Sequence, residues 1–167
     1  MNKHILEKMQ IVGGVTPVDL KTGANSGDWV SLKNYGRVSI VLYKGIGTST
    51  EDPTLVLQQA SAVAGTGSKT LAFARIDYKV GSLLSAIGTF TTANQTAIGS
   101  YVGSGWAANE TLAVIDIKAE DLDRDNGFDC VRCTIADIGS TAQLGAVLYL
   151  LHEPRYATVP LPTGIED

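Results

Sequence analysis

The chain has 167 residues and a formal net charge of −4. That length fits one domain, and such a domain can bury a core without a metal or disulfide. Nucleic-acid backbones and anionic membranes require clustered Lys and Arg, so the charge argues against both as partners. No apolar run reaches the ~18–20 residues of a membrane span. The charged start of the chain lacks the apolar stretch of a signal peptide, so we expect synthesis in the cytoplasm.

Both ends of the chain are expected to lie outside the folded domain. Residues 1–27 are broken by glycines and Pro17, and the only helical candidate there is a short turn over Ile5 to Met9. Residues 154–167 are rich in proline, which predicts an extended and exposed tail. The predicted organisation is an N-terminal arm over 1–27, a domain over 28–153 and a C-terminal tail over 154–167.

Between these ends, about eight segments alternate apolar and polar residues in the manner of half-buried strands. In chain order they are 28–33, 37–44, 54–59, 70–80, 87–92, 112–118, 128–136 and 143–151. The first two flank the turn Asn34-Tyr35-Gly36 and are predicted to form a hairpin. No segment keeps a 3.6-residue apolar period, so crossover helices are not expected. The pattern predicts an all-β fold, an antiparallel β-sandwich of jelly-roll type, with a tail-tube-like β-barrel as the alternative.

Residues that could support hydrolysis are scarce. The segment Ile11-Val12-Gly13-Gly14 matches the N-terminus of activated chymotrypsin-like proteases, which also need a His, an Asp and a Ser in contact. The chain has two histidines, His4 and His152, and both lie outside the strands predicted from the sequence. A flexible hinge is therefore the preferred interpretation of the glycines, and we expect no enzyme and no catalytic residue.

Two further motifs have plainer interpretations than the chemistry they resemble. The segment 65–70 lacks the Gly directly before Lys69 that a phosphate-binding loop requires, so a turn before a strand is preferred. Cys130 and Cys133 have the C-x-x-C spacing of redox motifs, but their flanks alternate as a strand. Residues three apart on a strand point to opposite faces, so we predict that no disulfide joins them. No cofactor is expected.

An acidic turn is the best candidate for a metal site. Asp121, Asp123 and Asp125 alternate along the chain, and carboxylates in such a run can converge on a hard cation such as calcium. The EF-hand pattern requires Gly at its sixth position and Glu at its twelfth, where this chain has Asn126 and Arg132. We predict a solvated turn between strands that is at most a weak calcium site.

The predicted strands from Leu112 and from Gln143 are apolar on both faces. In the last strand these residues are Leu144, Ala146, Leu148 and Leu150 on one face and Val147, Tyr149 and Leu151 on the other. A strand of a lone sandwich normally leaves one face polar, so this strand is either central and covered or packed on a partner. Apolar residues of the arm and tail are expected to serve as further anchors. The candidate interface residues are Ile5, Met9, Ile11, Val12, Trp29, Tyr149, Leu151 and Tyr156.

The segment from Gly27 to Tyr43, GDWVSLKNYGRVSIVLY, resembles a family of small virion structural proteins from tailed bacteriophages. Further similar blocks are DPTLVLQQ at 52–59, AEDLD at 119–123, NGFDCVR at 126–132, AQLGAVLY at 142–149 and PRY at 154–156. The resemblance covers most of residues 27–156 and carries no catalytic motif. It implies a head-associated decoration or cement protein on the capsid exterior, assembled in the host cytoplasm.

By this resemblance, the expected partners are the major capsid protein and further copies of the chain itself. A small protein that bridges neighbouring capsid subunits gains strength by repetition over many sites. The alternatives are a tail or connector component, and a glycan-binding β-sandwich that displays Trp29 or Trp106 on an exposed platform.

Overall fold

The computed structural model describes residues 4–47, 50–156 and 160–166, and these form a sandwich of two antiparallel six-stranded sheets. Sheet A contains, in spatial order, β1 (Met9–Asp19), β12 (Leu144–Pro154), β4 (Tyr35–Lys44), β10 (Glu110–Lys118), β7 (Phe73–Gly81) and β8 (Thr91–Ile98). Sheet B is built on β5 (Thr54–Ala60) and β11 (Cys130–Ile135), flanked by β2 (Asn25–Ser26), β3 (Val30–Ser31), β6 (Lys69–Thr70) and β9 (Ser100–Val102). The predicted all-β sandwich is confirmed, and its jelly-roll connectivity stays a prediction.

Helical structure in the described ranges is limited to short 3₁₀ turns, one of which, Ile5–Glu7, lies within the turn predicted near the N-terminus. No helix among these residues is long and apolar enough to cross a membrane.

The core lies between the sheets and follows the alternation of the sequence. Val38, Ile40 and Leu42 of β4 share the inner face of sheet A, and each is at most 2% exposed. The inner faces of the neighbouring strands are buried in the same way, and their residues are Ala113, Ile115, Ile117, Val147, Tyr149 and Leu151. Successive side chains of a strand point to opposite faces, so the other residues of these strands form the outer face of sheet A.

The predicted hairpin between residues 28–33 and 37–44 does not form. β3 pairs with β11 in sheet B, whereas β4 pairs with β12 and β10 in sheet A. The turn between β3 and β4 therefore carries the chain from one sheet to the other. Alternation correctly predicted a strand in both segments. It indicates which face of a strand is buried, but not which other strand it pairs with.

The N-terminal segment is part of the sandwich, which corrects the expectation of an arm over residues 1–27. β1 pairs with β12 from Met9 opposite His152 to Asp19 opposite Leu144. The ladder shifts register between Gly13 and Val15 and again before Val18. Irregularities of this kind accommodate glycine and proline in an edge strand, so these residues do not end the strand.

The C-terminal tail also packs on the sandwich of its own chain, and this corrects the expectation that it is exposed. Leu161 is buried, the Ser31 N–H donates to the Gly164 carbonyl at 2.7 Å, and the Tyr35 hydroxyl donates to the Pro162 carbonyl. Residues 157–159 and 167 of the predicted tail lie outside the described residues.

The phenol of Tyr149 connects the two sheets through the core. Its ring extends from β12 in sheet A, and its oxygen accepts a hydrogen bond from the Cys133 N–H of β11 in sheet B at 2.9 Å. Gly14 and Gly27 make room for it, since a Cβ added at Gly14 would lie 2.8 Å from ring carbons of Tyr149. A Cβ at Gly27 would lie 2.5 Å from the phenol oxygen. Burial raises the pKa of Tyr149 well above its usual value, so the phenol stays protonated.

We expect Gly14→Ala to destabilise the fold by about 1–3 kcal/mol, because the added methyl group overpacks the core against the Tyr149 ring. Gly13→Ala is the matched control, since nothing lies within 4 Å of its added Cβ, and we expect it to change stability by no more than about 0.5 kcal/mol. Urea denaturation of both variants measures the difference. Equal stability of the two variants would contradict the proposed packing.

A buried lysine secures the loop before β10. Lys44 is fully buried, and its ammonium donates to the carbonyls of Gly45 at 2.9 Å, Trp106 at 2.7 Å and Asn109 at 2.9 Å, with a longer bond to Ala107 at 3.3 Å. Burial lowers the pKa of Lys44 to about 8. The carbonyl oxygens favour the charged form, so the ammonium is retained at neutral pH.

We expect Lys44→Met to destabilise the protein by about 2–3 kcal/mol, because the substitution removes the donor that satisfies several buried carbonyls. Lys21→Met, at an exposed position, is the control and should be nearly neutral. Thermal unfolding followed by circular dichroism provides the measurement. A Lys44→Met variant as stable as Lys21→Met would show that the carbonyls find other donors.

Candidate functional site

The outer face of sheet A carries a contiguous apolar surface on four neighbouring strands. The ladders place Leu148 opposite Val41, and Val41 opposite Val114. Directly opposed residues of an antiparallel pair lie on the same face, so these side chains are neighbours. We call the whole surface the apolar patch, and it consists of Ile11, Val41, Tyr43, Leu112, Val114, Leu144, Ala146, Leu148 and Leu150.

The patch is open to solvent among the described residues. Leu144 is 67% exposed, Tyr43 56%, Leu148 45% and Ile11 43%, while the remaining members are partly exposed. β12 is therefore an interior strand of its sheet whose outer face is not covered by the described residues of the chain. Contiguous exposed apolar surface on a soluble fold is typical of a site for binding a partner.

A charged cluster borders the patch on the same face. Arg37 forms an ion pair with Asp116 at 2.5 Å, and the Ser39 hydroxyl donates to Asp116 Oδ1 at 2.8 Å. On β7, Arg75 donates two hydrogen bonds of 2.9 Å to Asp77 and holds the pKa of that carboxyl below its usual value. The charges in this cluster are paired with one another, so the cluster presents a polar border of fixed geometry.

This cluster contains a serine, a histidine and an aspartate, but their geometry is not that of a catalytic triad. His152 lies within β12, which corrects its placement outside the strands. Ser39 Oγ is 3.0 Å from His152 Nε2, and Asp116 Oδ1 is 3.6 Å from the same nitrogen. In a triad the carboxylate binds one ring nitrogen while the serine uses the other. Here both groups approach Nε2, so Asp116 is not placed to orient the ring for proton transfer from Ser39.

The predicted interface residues other than Trp29 separate into four groups. Ile11 belongs to the apolar patch. Ile5 and Tyr156 lie outside the strands and are 58% and 61% exposed, and Met9 and Val12 are partly buried in β1. Tyr149 and Leu151 are fully buried on the inner face of sheet A, so their assignment to an interface was wrong. The face of β12 chosen for the interface was the face that forms the core.

The two tryptophans do not form an exposed platform. Trp106 is fully buried, with its ring centroid 5.3 Å from that of Tyr78 and 5.7 Å from that of Tyr101. Trp29 is partly buried beneath the Arg132 guanidinium, which lies 4.7 Å from the ring centroid. A sugar ring stacks on an open aromatic face, which neither side chain offers in this arrangement.

The acidic turn is held by contacts within the protein. Both carboxylate oxygens of Asp123 accept from the Asn126 amide at 2.9 Å, and one also pairs with Lys69, which lowers the pKa of Asp123. Asp121 accepts from the Lys118 N–H at 2.9 Å, and Asp125 is exposed. Across the described ranges, no group of three or more His, Cys, Asp or Glu residues could hold a metal ion. The candidate calcium ligands Asp121, Asp123 and Asp125 therefore do not converge.

We expect the melting temperature to be the same in calcium and in a chelator, because the carboxylates of this turn do not converge on a cation. A cation that bound only the folded state would raise the melting temperature in calcium. Asp123→Ala should lower the melting temperature equally in both solutions, since its partners are Lys69 and Asn126. Differential scanning calorimetry tests both statements. A rise that depends on calcium and disappears in Asp123→Ala would instead establish a cation site.

Cys130 and Cys133 lie on β11 and form no disulfide with each other. Both are fully buried, and burial raises the pKa of Cys133 to about 12. The thiolate is the reactive form of cysteine, so Cys133 is unreactive at neutral pH. The C-x-x-C spacing in this chain therefore belongs to a buried strand.

Neither a scan against protein-family models nor a search of curated proteins found a match to this chain. The site must therefore be judged from its geometry. The alternation over residues 37–44 predicts a half-buried strand, and in the structure Arg37, Ser39, Val41 and Tyr43 lie on its outer face. The sequence also predicts a strand from Leu112 that is apolar on both faces, but alternation does not report that β4 lies between this strand, β10, and β12.

Proposed function

We propose that this protein is a non-enzymatic structural protein of a tailed-phage virion. In this role it decorates the capsid exterior and stabilises the lattice of the major capsid protein. The observation that carries the proposal is the apolar patch, which spans β1, β12, β4 and β10 on a sheet whose other face is a packed core. The resemblance of residues 27–156 to small phage structural proteins supplies the class of partner.

The patch has the chemistry of a docking surface. Burying apolar surface contributes roughly 25 cal/mol per Å², and the rigid sheet avoids most of the ordering cost of a flexible loop. The paired charges of Arg37 and Asp116 lie at its border, where charged groups direct orientation more than they add affinity. A modest contact of this kind becomes strong when one lattice repeats it many times.

We expect Leu148→Glu to weaken binding to capsids about tenfold or more, because a carboxylate replaces a leucine that the capsid subunit would bury. The assay adds the variant to particles stripped of this protein, from the phage that encodes it, and measures co-sedimentation. Leu148 is 45% exposed, so the variant should keep its fold.

Ser68→Glu is the control, because it adds the same charge at an exposed position in the turn before β6 of sheet B. Full-strength binding of Leu148→Glu to capsids would refute the assignment of the patch as the docking surface. Binding of the native protein to tails and not to capsids would instead favour a tail or connector component.

A further inference from the structure

β8 is an open edge of sheet A. It pairs with β7 on one side, and the strand order of the sheet ends there. Its sequence, TTANQTAI, contains no charge, proline or glycine, and most of its residues are exposed. An edge strand of this kind presents unpaired N–H and C=O groups to which another strand can bind.

The other edges of the sandwich are protected. At the far side of sheet A, β1 contains Pro17 and two register shifts, and its Gly14 carbonyl accepts from the Asp28 N–H at 3.1 Å. In sheet B the outer strands are only two or three residues long. Short strands, prolines and bulges are the devices by which proteins protect edges. Within the described residues, β8 is therefore the one long edge strand that carries neither a proline nor a charged side chain.

We propose that β8 pairs antiparallel with β8 of a second copy of this chain and joins the two A sheets into one continuous sheet. The second copy is the favoured partner because the strand carries no charge, so self-pairing brings no like charges together. This inference goes beyond the proposed function, since the dimer forms without any capsid.

The alternation of β8 restricts the register of this pair. Thr92, Asn94 and Thr96 are exposed, whereas Ala93 and Gln95 are partly buried. Residues that lie opposite each other across the pair must share one face of the sheet. A two-fold axis perpendicular to the sheet therefore passes where one residue lies opposite its own copy, and not midway between two successive residues. Asn94, in the middle of the exposed set, is the residue on the axis, and it then lies opposite its own copy.

β8 has one irregularity of its own, beyond Asn94, which the side chain of Gln95 fills. The ladder with β7 shifts register between Phe73 and Arg75, where the Gln95 amide donates to the Phe73 carbonyl at 3.1 Å and to the Ser100 carbonyl at 3.2 Å. The side chain of Gln95 thus satisfies carbonyls on the inner side of the strand. The substitutions that test the pair therefore retain Gln95 and change Asn94.

Charge reversal at Asn94 tests the proposal. Sedimentation equilibrium of the full chain should show a concentration-dependent mass that approaches twice 17.6 kDa. Asn94→Lys and Asn94→Asp should each sediment as a monomer at the same concentrations, because each places like charges opposite each other across the axis. An equimolar mixture of the two variants should recover the dimer, since lysine then lies opposite aspartate.

Thr16→Lys is the matched control on β1, the opposite edge strand, and should dimerise like the native protein. The proposal is overturned if the native chain is monomeric at every concentration, if the charges at Asn94 leave the dimer intact, or if the mixture stays monomeric. Circular dichroism of each variant verifies the fold. Binding of Leu148→Glu to capsids is measured separately, so failure of the dimer and failure of the proposed function are distinguishable.

Discussion

The hydrogen bond between the Tyr149 phenol and the Cys133 N–H fixes how the two sheets face each other. It is the polar contact that crosses the core from β12 to β11, and a buried N–H left without an acceptor costs about 1–3 kcal/mol. Gly14 and Gly27 are the positions where the backbone approaches the ring too closely for any side chain. One aromatic residue on an interior strand of sheet A therefore constrains the path of the N-terminal segment and links the two sheets.

The same strand explains why the outer face of sheet A is apolar at a cost to solubility. Tyr149 must face inward, so the residues beside it, Leu148 and Leu150, must face outward. A solvated face of a sheet is served equally well by polar side chains. Leucine at these positions, beside Val41 and Tyr43 of β4, is understandable if the surface is buried against another protein.

Sequence periodicity was enough to predict the sandwich, because alternation is a local consequence of burial. The alternation over residues 37–44 agrees with the buried inner face of β4, but periodicity failed where strand partners were involved and where both faces of a strand, as in β12, are apolar. The hairpin of residues 28–44 and the placement of His152 were wrong because pairing joins residues such as Ser39 and His152 that are distant in sequence. β1 was missed for a different reason: Pro17 and the glycines are also tolerated in bulges at an edge strand.

The patch and the β8 edge of sheet A are open to partners in different directions. The patch faces along the normal of sheet A, whereas β8 extends the sheet within its own plane, and the two lie toward opposite ends of the strand order. A two-fold axis beside Asn94 that is perpendicular to the sheet leaves both patches of the dimer facing the same way. Such a dimer can bind two sites of one lattice at once, which raises its avidity without any new contact. A dimer formed face to face through Leu148 would bury the patches and abolish lattice binding, so edge pairing is the mode of self-association that is compatible with the proposed function.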